Sequence, residues 1–574
     1  MRLLRKLSLL PLACLATLAG ARNPDVRLPD IGSSAAAIMS PQELHEYGAG
    51  MLQELRGYGL VLDDALLNDY LDALGYRLVA HSDQPDSAFT FFIMRDPSIN
   101  AFAAPGGFVA ANAGLITAMD TEDELAGVLA HEIAHVQQQH ILRAFEDTQK
   151  MSIPIMIGML GVMIASAGRT DDAAPAALVA GTSLMQQRQI NFTRSEEGEA
   201  DHVGIQTLAR AGFDPVAMAG AFATLQKIMR VNGVDVPEFL LDHPLDTRRI
   251  ADAKARAAQL GCPVAPRLDP LAVSGTGLGA LDLTLPSRAV AGGAATVSDA
   301  AARAASEAAT ITVEEKGEGA ALPRVSVSTC APRDPAGESY FELMRERARV
   351  LTAPSPAGIR GYYADSLRQD PAFDTLANRY GYALALVRAG QPGDAVAQLR
   401  PLVEREPSSA VLRLALAHAQ DQAGSKAEAL ATYRQLERDF PGNRSVALTY
   451  ADALLARTDV AHAQQALALL RPLVERRPDD PELQRSYGRA NQLAGDTVRA
   501  AEAYAEAAWL TGHAEDALAQ LKALSKQSDL SYYQRSRIDA RITQLTPAVL
   551  ERRKREGVPE PDSLTPAFAC CQRR

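Results

Sequence analysis

The sequence predicts an α+β domain joined by a flexible linker to an all-α helical solenoid. Three features carry that reading. A helix around His131 has a sharp start signal, residues from about Ala272 to Glu338 are biased to Ala, Gly, Ser and Thr, and the C-terminal third repeats every 34 residues. At 574 residues the chain has room for two or more domains. Its 47% hydrophobic content supplies real cores. The formal net charge of -11 argues against nucleic acid or anionic lipid as the main partner.

The N-terminus reads as an export signal. Arg2, Arg5 and Lys6 precede an apolar run from Leu7 to Leu18, and Ala19-Gly20-Ala21 forms an A-x-A cleavage site. Cleavage after Ala21 leaves a chain that begins at Arg22. Lipidation at Cys14 is the minor alternative, because Pro11-Leu12-Ala13 is a poor lipobox. Of the other cysteines, Cys262 and Cys330 flank the flexible stretch, and Cys570 and Cys571 lie near the C-terminus. Four cysteines allow three pairings, and spacing does not choose among them.

The segment His131-Glu132-Ile133-Ala134-His135 reads H-E-x-x-H. On a helix, residues four apart lie about 40° apart, so both imidazoles leave one face and can hold one Zn²⁺. Glu132, about 100° from His131, stands beside the metal, where it can take a proton from a water held there. Thr121 and Glu124 form a capping box that starts the helix near Glu122. Leu125, Val128, Leu129, Ile133 and Val136 keep a helical apolar period. The motif thus lies on a buried segment, where unliganded histidines and a glutamate are costly. His140, about 140° from His135 on a continuous helix, reads as a bystander.

Residues Met151 to Gly168 carry no charge, and a weaker apolar run follows from Ala173 to Met185. Pro154 and the small residues fit a hairpin packed over the cleft. Membrane contact through 151–185 is the second reading, since 18 apolar residues reach the lower limit for a span.

A zinc site needs a third protein ligand and an open position. Glu196, Glu197 and Glu199 compete for it. Glu197 has Asp201 one helical turn on, where a carboxylate can accept the free N–H of a liganding histidine. Glu197 is therefore the expected ligand and Asp201 its support. Downstream, His243-Pro244 precedes Arg249 and Ile250.

Taken together, the zinc helix, the E-x-x-x-D pair and the His-Pro element resemble the metallopeptidases that include HtpX and the CAAX prenyl proteases. Asn191 to Asp201, Ile99-Asn100-Ala101-Phe102, Pro105-Gly106-Gly107-Phe108 and Gly114-Leu115-Ile116 also match that pattern. The resemblance implies an α+β zincin-type domain of the gluzincin class, with a strand bordering the cleft that an extended substrate can pair with. It implies that Arg249 helps to stabilise the tetrahedral intermediate. It extends to a periplasmic subgroup that joins this domain to tetratricopeptide repeats and is associated with quality control and assembly of outer-membrane proteins. In that subgroup the histidine matching His243 can fill the fourth zinc position and hold the enzyme latent. Donation of a hydrogen bond from His243 to the intermediate is the other reading. HtpX-like relatives place membrane helices where 151–185 falls.

The repeat is read from residues. Gly390 and Gly424, Ala395 and Ala429, and Pro407 and Pro441 are each 34 apart. That is the tetratricopeptide period, two helices per unit with small residues where helices cross. Pro478 follows Pro441 by 37, and the excess of three is expected near Thr458–His462. Gly495 and Ala500 continue the pattern, with Tyr380, Tyr433, Tyr450, Tyr487 and Tyr504 at packing positions.

The expected division is a signal peptide over 1–21, a zinc metallopeptidase domain over 22–261 and a linker over 262–338. Repeats follow over 339–530, then a C-terminal helix and tail over 531–574. The leading functional reading is a periplasmic zinc endopeptidase whose repeats recruit misfolded or assembling outer-membrane proteins, or their assembly machinery. A chaperone or scaffold with a latent zinc site and a membrane-associated HtpX-type processing protease are the alternatives. The intact Glu132 favours the first, since a structural metal site needs no general base.

Overall fold

The computed structural model describes residues 39–144, 193–232, 243, 247–260 and 335–556. The expected export signal, the apolar run 151–185, all five cysteines and most of the expected linker lie outside the described residues.

The N-terminal part is α+β. Helix α1 (Pro41–Gly57) starts on Ser40, which closes a reciprocal capping box with Glu43. Helix α2 (Ala65–Ala80) starts on Asp64, whose carboxylate accepts from the Leu67 N–H. Three short strands follow, β1 (Thr90–Met94), β2 (Ala101–Ala104) and β3 (Phe108–Asn112). Their order is β1-β3-β2, with β1 parallel and β2 antiparallel to β3. Central β3 is buried at every position, which suits a strand covered on both faces. The β2–β3 turn passes through Gly106 and Gly107, both at φ 84°, a left-handed conformation that glycine adopts without penalty.

A short helix α3 (Ala113–Ala118) leads to α4 (Glu122–Gln137). As the sequence predicts, Thr121 caps α4, its hydroxyl accepting from the Glu124 N–H. The Glu124 carboxylate, however, accepts from the Asp120 N–H and not from the cap residue itself. Burial on α4 runs all round, from Glu122 to Ala134. The helix is enclosed by β2, β3, α2 and α6 (Ala217–Asn232). Its acidic first turn is paid for by partners. Tyr70 OH donates to Glu122 Oε1, and the Asp214 N–H donates to Asp123 Oδ2. The positive end of the helix dipole adds to both. Helix α5 spans 193–210 and α7 spans Thr247–Gln259.

The C-terminal part is all helical. Helix α8 (Pro335–Thr352) leads into α9 (Pro356–Gln369). Then come the pairs α10 (Leu376–Arg388) with α11 (Pro392–Arg405), and α12 (Ala410–Gln422) with α13 (Lys426–Asp439). They are followed by α14 (Arg444–Leu455) with α15 (Val460–Arg476), and α16 (Pro481–Ala494) with α17 (Thr497–Leu510). Helices α18 (Ala514–Ser525) and α19 (Tyr532–Glu556) close the array. Ala395, Ala429 and Ala463 are fully buried at the crossings, and Tyr433 stacks on Tyr450 at 5.5 Å.

The extra three residues do not sit in the Thr458–His462 turn. Thr458 occupies the same left-handed turn position as Gly390 and Gly424, 34 residues apart in each step. The excess is in α15, which has 17 residues where α11 and α13 have 14. A longer second helix, not a longer turn, carries the insertion.

The two parts share one continuous apolar core, which includes Leu71, Leu74 and Ile116 together with Phe341, Met344 and Tyr380. Helix α8 packs on α2, α3 and α4 and also on α10. Arg347 donates twice to Asp64, the cap residue of α2, at 2.7 Å each. Helix α14 packs on α2, where Ser445 donates to Asp69 at 2.6 Å. Farther along, the turn after α17 reaches back to α1, close enough that a Cβ on Gly512 would sit 2.3 Å from the Gln53 carbonyl. Among the described residues the solenoid therefore holds the α+β part through α8, α14 and the turn after α17.

Candidate metal centre

The site forms where α4, α5 and residue 243 meet. A Cβ on Gly204 of α5 would lie 3.2 Å from the His131 backbone nitrogen, so the missing side chain lets α5 approach α4 closely. That approach brings the acids of α5 under the histidines of α4. His131 Nε2 and His135 Nε2 are 3.0 Å apart, and each is 3.4 Å from an oxygen of Glu197. His243 presents Nδ1, 3.3 Å from His131 Nε2 and 2.9 Å from Glu197 Oε1. All four groups converge within 4.8 Å. Four donors placed tetrahedrally about an ion at ~2.0–2.1 Å stand about 3.3 Å apart, and the separations here match that edge.

His131 and Glu197 are each contacted from behind. His131 Nδ1 lies 3.0 Å from Asp201 Oδ1, which turns its Nε2 toward the site. Arg249 on α7 donates to both oxygens of Asp201, at 2.9 and 2.7 Å, and reaches Glu197 Oε2 at 2.8 Å. Its guanidinium also lies over the Phe222 ring, 4.8 Å from the centroid. Arg249 is thus bound to the carboxylates that support the site.

The field favours a cation. Burial works against charge on Glu197, yet the three histidines hold its carboxyl well below the usual carboxylate range. Burial also opposes charge on His131, but hydrogen bonds to Asp201 and Glu197 outweigh it and raise its pKa to about 10. Burial lowers His135 to about 3. A place that would keep a proton on one imidazole against burial is a place that attracts a metal cation, and three imidazoles with one carboxylate are ligands that such a cation takes.

Glu132 stands beside this cluster. It is 1% exposed, and its Oε1 is 3.5 Å from His243 Nε2. Its helix packs on β2, and the backbone of Ala103 on that strand favours its charged form. Burial pushes its carboxyl pKa up, the direction that makes a carboxylate a better proton acceptor.

Comparison with known proteins agrees with this geometry. Residues 65–257 match the model for peptidase family M48, and residues 380–444 match a tetratricopeptide repeat model. The beta-barrel assembly-enhancing protease of Escherichia coli is 30% identical over 523 residues, 90% of this chain and 91% of that protein. The chain belongs to peptidase family M48. This M48 member is therefore a metallopeptidase with a helical repeat region. A putative beta-barrel assembly-enhancing protease of Vibrio cholerae is 43% identical over 250 residues, which span 51% of that protein. A mitochondrial metalloendopeptidase of Schizosaccharomyces pombe is 29% identical over 181 residues, 50% of its length. Among the described residues of this M48 chain, no helix is long and apolar enough to cross a membrane.

Sequence reasoning passed over two residues at this centre. His140, read as a bystander, is 2% exposed and lies 2.9 Å from His135 through the two Nδ1 atoms. Glu199, set aside for want of a partner at helical spacing, meets His140 and Arg143. The signal that could have found them is a third histidine and a third acid beside the two motifs.

Proposed function

We propose that this chain is a periplasmic zinc endopeptidase acting in the quality control and assembly of outer-membrane proteins. One observation carries the peptidase part: His131, His135 and Glu197 converge while buried Glu132 stands free of the ligand set but next to it. Bound zinc would supply the Lewis acidity that polarises a scissile carbonyl. Glu132 takes the proton of the attacking water and passes it to the leaving amine. Strand β2, at the edge of the sheet and packed against α4, offers its backbone to an extended peptide. Arg249 and Asp201 keep Glu197 and His131 in place. The names of the relatives from Escherichia coli and Vibrio cholerae support the assignment to β-barrel assembly, and the repeat solenoid supplies the surface that recruits substrates or assembly partners. The division into 1–21, 22–261, 262–338, 339–530 and 531–574, with cleavage after Ala21, belongs to the same proposal.

A resting form of the same enzyme has a specific observation in its favour. His243 Nδ1 takes the fourth corner, and its Nε2 faces Glu132. In that arrangement the position of the attacking water is filled.

The test uses the chain without residues 1–21, an unfolded outer-membrane β-barrel protein as substrate, and zinc quantified after purification. The wild type should carry one zinc and cleave. His131→Ala should lose zinc. Glu132→Gln should keep zinc and fold and lose at least ~10²-fold in rate. Full hydrolysis by a zinc-loaded Glu132→Gln protein would overturn the mechanism, and a wild type that binds no zinc would overturn the metal.

A further inference from the structure

We infer that His140 is a positioning residue for the ligand His135, held in turn by Glu199 and Arg143. This inference rests on the zinc reading of the site and deepens it.

The backbone makes the contact. On an unbroken helix His140 would point about 140° away from His135. Helix α4 instead ends at Gln137, and Gln139 takes a left-handed conformation at φ 55°. Such a conformation is uncommon for a non-glycine residue. A new helical segment begins at His140, and the break turns its ring back onto the site. The ring centroids of His135 and His140 stand 4.7 Å apart at 83°.

The hydrogen-bond directions then follow without choice. His135 turns Nε2 into the ligand cluster, so its proton is on Nδ1. That proton is donated to His140 Nδ1 at 2.9 Å. His140 therefore carries its own proton on Nε2, which donates to Glu199 Oε2 at 3.3 Å. The same oxygen accepts from Arg143 Nη2 at 2.7 Å. His140 is buried, whereas Glu199 and Arg143 are more than a third exposed, so the relay runs from the metal ligand to the surface. It parallels the path from His131 through Asp201 to Arg249 on the other ligand. The difference is that His131 faces a carboxylate and His135 a neutral ring. The two ligands are then unequal, with His135 the weaker base.

The test measures zinc affinity of the full chain by chelator competition at fixed pH, together with the visible spectrum of the Co²⁺-substituted protein. His140→Ala should weaken zinc binding by ~10–100-fold and shift the cobalt bands, since removal of such a partner changes ligand strength and orientation. His140→Asn, whose Oδ1 can accept the same proton, should recover most of the affinity. Glu199→Ala, at a half-exposed position, should fold normally and lose less than His140→Ala. Affinity within twofold of wild type in folded His140→Ala would overturn the inference. So would an Asn variant as weak as the Ala one, because packing and not the hydrogen bond would then be responsible. Where His140→Ala fails to fold, unchanged affinity and spectrum in Glu199→Ala overturn it instead. A wild type that binds no zinc removes the zinc reading along with it, whereas variants unchanged beside a zinc-binding wild type remove only the role of His140.

Discussion

Arg444 ties the solenoid to the peptidase domain, and its removal should unfold the seam. The side chain is 7% exposed. Its guanidinium donates to Asp480, the cap residue of α16, and to Glu482 at 3.4 Å. It also donates to the Ala65 carbonyl of α2 at 3.3 Å and stands 3.7 Å from Asp69. Arg444→Met keeps the apolar stem and removes the charge. Asp69 and Asp480, each 9% exposed, are then left facing one another. Breaking a buried pair from one side costs ~3–5 kcal/mol. Arg477 still reaches Asp69 at 3.6 Å and is 30% exposed, so the lower end, ~3 kcal/mol, is the expected loss. Urea unfolding of the full chain reads it, with fluorescence of Trp509 on α17 as the probe. A second substitution gives the sign. Burial raises the Asp69 carboxyl even against the pull of Arg444, so Asp69→Asn should stabilise the Arg444→Met protein, where that pull is gone, by clearly more than it changes the wild type. A loss below ~1 kcal/mol for Arg444→Met, or the same effect of Asp69→Asn in both backgrounds, would refute the account.

The remaining expectations concern acid groups and the metal site. Burial, against the pull of Arg477, raises Asp72 to about 7, and burial against the pull of Arg444 raises Glu482 to about 8. Both values lie above those of the unfolded chain, so the folded protein holds these protons from about pH 4 upward while the unfolded chain does not. Their contribution to stability is complete near pH 4 and is lost as pH rises through 7 to 8. With Asp72 24% in water, screening reduces its share to ~1–2 kcal/mol. The stability gap between Asp72→Asn and wild type should accordingly widen in favour of the variant from pH 5.5 to 8.5, and an equal gap at both would contradict the linkage. His243→Ala, compared at matched zinc content, should raise basal cleavage of an unfolded substrate if His243 is a latch, whereas a fall would show that it serves the reaction.

How much could be read beforehand depends on how local each feature is. The cap at Thr121, the spacing of His131 and His135, and the pairing of Glu197 with Asp201 all sit within one helical turn, so residue spacing alone is enough to propose them. The 34-residue period is equally legible, because each helical pair repeats the same packing against its neighbour. What escaped depends on backbone breaks or on distant partners. Spacing puts His140 on a continuous helix, whereas α4 stops at Gln137 and the chain turns at Gln139. The added residues between Pro441 and Pro478 were assigned to a turn, the usual place for insertions, whereas the second helix absorbed them. The seam joins Asp69 to Ser445, 376 residues later, and no periodicity links those positions.

The acids of α5 explain why one helix governs the whole centre. Glu197 and Asp201, one turn apart, face α4 together, while Glu199 lies about 160° around the helix from Glu197. Glu197 meets the ligand cluster, Asp201 orients His131, and Glu199 reaches His140 beyond the end of α4. Both metal-facing histidines are thereby referred to the same rigid element. A shift of α5 along or away from α4 would move Glu197 together with the side chains behind His131 and His135. The contact that sets this distance is Gly204, where a side chain would meet Met218 and the backbone of His131. Arg249 adds a restraint from the opposite side by holding Glu197 and Asp201 from α7.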